Sequence, residues 1–182
     1  GTEAGRGLSD DDVLFLAESK IVQQLADKEP CVIVGRCADF VLKGRPGVVR
    51  VFCYCDRDTA IDRCTSEYGL DKVKAEAEIK RLNKARGTHY EYYTGQRWDD
   101  PRNYDLMINT GSMTLDQACD IIVCMYVNAK AGMKAAGAVP RPEADVAYTL
   151  WRALRRHGMH QSAADAGVRR HVLYNALNFS VL

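Results

Sequence analysis

The chain lacks any apolar run near the roughly 20 residues that a membrane-spanning helix needs, so no span is expected. It also lacks a C-x-x-C pair. Its seven cysteines, Cys31, Cys37, Cys53, Cys55, Cys64, Cys119 and Cys124, are odd in number and sit mostly inside apolar runs. That pattern excludes a disulfide framework and a zinc site, and it reads as buried free thiols in a reducing cytoplasm. His157, His160 and His171 show no clear ligand spacing, so no metal centre is expected. The first residues, GTEAGRG, carry no signal-peptide pattern, and no internal repeat is visible. A net charge of only +1 excludes an obvious polyanion binder over the whole chain.

What is present is a chain of 182 residues, 47% apolar, which suits one domain with a small appendage. The near-zero charge hides an asymmetry. Residues 1–129 carry 17 Lys/Arg against 21 Asp/Glu, and residues 130–182 carry 8 against 3. An acidic body with a basic tail suggests two units with different partners.

Ser9 followed by Asp10, Asp11 and Asp12 reads as a capped helix start, with Leu14, Ala17, Ile21 and Leu25 as its apolar stripe and Pro30 as its stop. Cys31 to Val34, ending at Gly35, reads as a buried strand and turn, and Ala38 to Leu42 as a helix start. Val48 to Cys55 is the clearest strand: β-branched, aromatic and apolar on both faces, as in a parallel sheet. A helix holding Ala60, Ile61 and Cys64 should follow, then a charged helix over 71–86 with Val73, Ala77 and Leu82 as a thin stripe. Leu106 to Ile108 reads as a third strand, ending in the Asn109-Thr110-Gly111 turn, and Leu115 to Met125 as a closing helix. This alternation predicts an α/β fold, a mostly parallel sheet with flanking helices. The Gly, Ala and Pro of 129–146 predict a linker, and 147–182 a helical tail.

Three segments, CVIVGRCADFVL (31–42), VRVFCYC (49–55) with Arg63 downstream, and KRLNKARGTHYEYYTGQRWDDPRNYDLMINTG (80–111), together resemble the cytidylate kinase-like family of P-loop kinases. The resemblance covers about residues 8–126. It implies a nucleoside-monophosphate-kinase fold over 1–128, phosphoryl transfer from ATP with Mg²⁺, and a nucleoside monophosphate or another small molecule as acceptor. Arg36 matches the family arginine that contacts the bound monophosphate. Cys37 stands where the cytidylate kinases have Asp, so their nucleobase contacts do not carry over; Asp39, two residues on, is a further candidate for the substrate, as is Arg63. A transferring phosphoryl group spreads negative charge over its oxygens, and guanidinium forks grip such oxygens in pairs. Arg81, Lys84 and Arg86, on the helix that would form the lid, are the catalytic candidates. The competing reading of these cations is a solvated helix face paired with Glu76 and Glu78. Arg63 has Asp62 and Glu67 at hand, and Tyr90, Tyr92, Tyr93 and Trp98 either line a cleft or pack beneath the lid.

The family's G-x-x-x-x-G-K-[ST] phosphate loop is not in the sequence. The chain is therefore expected to begin inside the domain, with the strands at Cys31 and Val48 lacking the neighbour between them, and to be poorly stable and inert alone. In the tail, Gly158 separates two helical stretches of 148–177, and the second resembles a Fis-type helix-turn-helix with Ala163, Gly167 and Val168 at its crossing and Arg169, Arg170 and His171 toward DNA. That gives the alternative function, a binding or regulatory module with a DNA-binding helix-turn-helix tail on a degenerate kinase fold. A helical hairpin packed on the body is the other reading of the same residues.

Overall fold

A computed structural model describes residues 7–28, 30–135 and 176–181. The elements are helix α1 (Asp10–Lys28), strand β1 (Val32–Val34), short helix α2 (Ala38–Val41), strand β2 (Val49–Tyr54), helices α3 (Arg57–Tyr68) and α4 (Lys72–Thr94), strand β3 (Leu106–Asn109), helix α5 (Leu115–Ala135) and strand β4 (Ala176–Val181). No described helix is long and apolar enough to cross a membrane.

The helix ends follow from local chemistry. Ser9 and Asp12 form a reciprocal box: the Asp12 N–H donates to Ser9 Oγ (3.2 Å) and the Ser9 N–H to Asp12 Oδ2 (3.1 Å). Asp56 and Asp71 cap α3 and α4 by accepting from the Thr59 and Lys74 N–H groups, both at 2.9 Å. Gly69 and Gly95 end those helices in the left-handed region, with φ of 64° and 66°.

The sheet order is β1-β4-β2-β3. β2 and β3 pair in parallel, while β4 pairs antiparallel with β1 on one side and β2 on the other. β1, β2 and β3 thus run one way, as the alternating pattern predicts, and β4 runs against them. Side chains alternate across β2. Val49, Val51 and Cys53 pack with Ile108 against Ala118, Cys119, Ile122 and Tyr126 on or beside α5. Phe52 points to the opposite face, where Cys37, Tyr90, Trp98 and Tyr104 close a second core. The Tyr104 hydroxyl donates to the Trp98 carbonyl at 2.6 Å and fixes that loop.

Several expectations are corrected here. The slot between β1 and β2 is filled by β4, because unpaired N–H and C=O rows in mid-sheet are satisfied by any strand that reaches them. The end of the expected helical tail is therefore strand over 176–181, and the helix-turn-helix expectation over 148–177 otherwise lies outside the described residues. α5 continues to Ala135, so helix extends into the stretch 129–146 read as linker. The stripe Leu14, Ala17, Ile21 and Leu25 of α1 faces water, with Leu14 and Ile21 each 54% exposed. The buried side, Val22 and Ala26 with half-buried Phe15, lies one residue further on. On α4 the buried residues are Ala75, Ile79 and Tyr90, whereas Val73 is 78% exposed. Sparse apolar residues on a charged helix leave its phase open; packing on α3 decides it for Ala75 and Ile79 of α4, and packing on β1 and α2 decides it for α1.

Candidate functional site

The site begins at the turn after β1. Gly35, Arg36 and Cys37 all have positive φ, at 71°, 55° and 52°. For Arg36 and Cys37 that conformation costs about 1–2 kcal/mol each. Burial of the next segment compensates: Cys37, Ala38 and Asp39 are all nearly inaccessible to water. Strain held in this way by surrounding packing clusters where a side chain must be aimed. Here it throws Arg36 outward, its side chain 62% exposed.

Arg36 reaches a hollow of about 610 Å³ between α1 and α4. Arg81 and Lys84 of α4 line the same hollow, together with Phe15, His89, Tyr92 and Tyr93. Phe15 and Tyr93 stack at 4.1 Å between centroids with an interplanar angle of 11°, which makes a flat apolar floor. Two of the three cations hold acids. Arg36 pairs with Glu18 at 2.7 Å, and Arg81 grips Glu78 through two hydrogen bonds of 2.7 and 2.6 Å. Lys84 forms no ion pair among the described residues.

The other candidates lie elsewhere. Arg86, half-buried on α4, donates to Asn83 Oδ1 at 3.2 Å and does not line this hollow. Asp39 is 2% exposed and accepts a 2.5 Å hydrogen bond from the Tyr90 hydroxyl. Burial raises its pKa, against the lowering effects of that hydrogen bond and of Arg50. Asp39 is thus a tie between α2 and α4 and does not line the hollow. Arg63 donates to Thr110 Oγ1 (3.0 Å) and to the Thr110 carbonyl (2.6 Å), which fastens α3 to the end of β3. The four aromatics divide: Tyr90 and Trp98 are core, and Tyr92 and Tyr93 line the hollow. The Cys37 thiol is pushed up to about 12, chiefly by burial and then by Asp39 and Glu18, so it stays neutral and unreactive at neutral pH.

Sequence reasoning missed Glu18, the acid that holds Arg36. It also missed a second hollow, of about 530 Å³, on another face of α4. Asn83, Gly87 and Glu91 line it at spacings of four, so they share one face of the helix. Its other walls are Phe52, Tyr54, Trp98 and Met107, with Arg97 and Asp99 at the rim. Gly87 was the available signal. A glycine in mid-helix costs about 0.5–1 kcal/mol relative to alanine. A Cβ at Gly87 would meet nothing within 4 Å, so no packing requires the glycine.

A family model described as the cytidylate kinase-like family matches residues 2–112. A crystal structure of an uncharacterized protein from Eubacterium ventriosum ATCC 27560 is 29% identical, covers 65% of this chain and 68% of its own, and superposes with a TM-score of 0.62. No curated protein matches the chain.

Proposed function

Because the chain belongs to the cytidylate kinase-like family, we propose that the hollow between α1 and α4 binds the phosphate of a nucleoside monophosphate, or of a similar small acceptor, for phosphoryl transfer from ATP. The observation that supports this is the convergence of Arg36, Arg81 and Lys84 on one hollow, with Arg36 held there by a strained turn. These cations neutralise an incoming phosphate, and its oxygens replace Glu18 and Glu78 as partners of the guanidiniums. α4 then serves as the lid that closes over the bound group and expels water. The free thiols, five of them buried, suit a reducing cytoplasm.

Kinases of this kind use nucleotides and Mg²⁺ in general. No group of three or more His, Cys, Asp or Glu side chains comes together among the described residues to hold a metal. The hollow's two carboxylates are Asp11 and Glu18, and Glu18 is held by Arg36, so its three cations suit a phosphate anion better than a divalent cation.

Isothermal titration of the full chain with CMP, AMP and the parent nucleosides tests the reading. Only the monophosphates should bind, with affinity falling as salt is raised. Equal binding of the nucleosides would refute it.

A further inference from the structure

We infer that the second hollow, between α4 and the outer end of β2, is a binding site for an alkylated ammonium group. Its walls are apolar and aromatic. Tyr54 is 39% exposed, and Trp98 is held edge-on to Phe52 with ring centroids 5.3 Å apart. The Met107 sulfur adds a polarisable surface. The charged lining residues are Glu91, Asp99 and Arg97, a net of one negative charge. Arg97 and Asp99 neutralise each other in a 2.9 Å ion pair. Glu91 makes no ion pair and no side-chain hydrogen bond among the described residues; it feels the charge of Arg97, which Asp99 and Asp100 share, so the lining stays one negative charge in excess.

Gly87 stands between Asn83 and Glu91, one turn from each, and its missing side chain leaves the wall open. Asn83 Oδ1 already accepts from Arg86 at 3.2 Å, so the amide turns to the hollow at most its second oxygen lone pair and its NH₂ donors. An anion is disfavoured by the net charge. A bare ammonium would have to surrender tightly held water to walls that cannot replace it. A trimethylated ammonium, weakly hydrated and attracted to aromatic faces, matches both the walls and the carboxylate. The site shares no lining residue with the hollow of Arg81 and Lys84, and its occupancy does not depend on the proposed phosphate site.

Isothermal titration of the full chain with choline chloride and with 3,3-dimethylbutan-1-ol, its uncharged isostere, tests this. Choline should bind about tenfold tighter than the alcohol. Glu91→Gln should abolish that preference, and Gly87→Leu should abolish binding of both while leaving the unfolding temperature undiminished. CMP titrations of the two variants should match the parent. Equal binding of choline and the alcohol, an unchanged preference in Glu91→Gln, or tighter binding of uncharged nucleosides in this hollow would overturn the inference. Should Gly87→Leu unfold the chain, the isosteric Glu91→Gln still decides. Choline binding without CMP binding would leave this site standing and remove the phosphate reading, and the reverse result would do the opposite.

Discussion

The Tyr90 hydroxyl donates a 2.5 Å hydrogen bond to the Asp39 carboxylate, and so pins helix α4 to the short helix that follows the Arg36 turn. Tyr90→Phe should destabilise the fold by about 1–3 kcal/mol, because a buried acceptor loses a donor. The loss has a pH signature. Burial holds the Asp39 pKa above its ordinary value, and the Tyr90 hydrogen bond opposes that rise. A carboxyl raised in the folded state favours folding when protonated, so its unfavourable contribution grows as pH rises through the folded pKa. Without Tyr90 that pKa climbs further, and urea denaturation should show the variant losing more stability at neutral than at acid pH. An equal loss at both would mean only a packing defect.

Arg63 separates a structural role from a substrate role. Its two hydrogen bonds go to Thr110, 47 residues away. Arg63→Ala should cost about 1–3 kcal/mol of stability, and Arg63→Lys should restore little of it, since an ammonium cannot span both acceptors as a guanidinium fork does. CMP affinity per folded molecule should stay unchanged. A fall in affinity with stability intact would return Arg63 to the substrate.

Glu67 should govern a second pH response. Burial raises its pKa from 4.5 to about 7, against the lowering charge of Arg63. The folded state then binds the proton more tightly than the unfolded one, so stability is retained below about 4.5 and lost as pH rises toward about 7. Glu67→Gln should flatten that window and stabilise the chain at pH 7 by about 1 kcal/mol, a value discounted because the side chain is only half-buried. Thermal melts across the window measure it.

The last described strand should matter out of proportion to its length. Among the described strands, β1 pairs only with β4. Deleting 176–182 should strand β1, expose the inner edge of β2 and lower cooperativity in denaturation while raising aggregation. A truncated chain that unfolds with the parent's midpoint would show that β4 contributes little.

Much of this was legible in the sequence wherever one local signal dominated. The apolar run of β2, the acidic cap of α1 and the Gly-Arg turn each announce themselves. The phases of α1 and α4 did not. On α1, Leu14 and Ile21 compete with Phe15 and Val22 for the same helical period, and only the packing of β1 and α2 selects the second set. α4 runs eight residues beyond the expected 86 because its true stop is Gly95, whereas Gly87 keeps helical geometry. The pairing of β4 depends on contacts across more than a hundred residues, which no local pattern encodes. Arg36, Arg81 and Lys84 were recognisable as cations, but their meeting with Glu18 is a product of tertiary structure.

That meeting gives the most direct measurement: CMP titrations of Arg36→Ala and Glu18→Gln beside the parent chain. Removing the guanidinium should weaken CMP binding by about tenfold or more. Removing the acid should free Arg36 and tighten binding by about two- to fivefold, the size of an exposed ion pair. Opposite signs from two residues 2.7 Å apart would identify Arg36 as a phosphate ligand held in reserve by Glu18. Unchanged affinity in both variants would contradict the account.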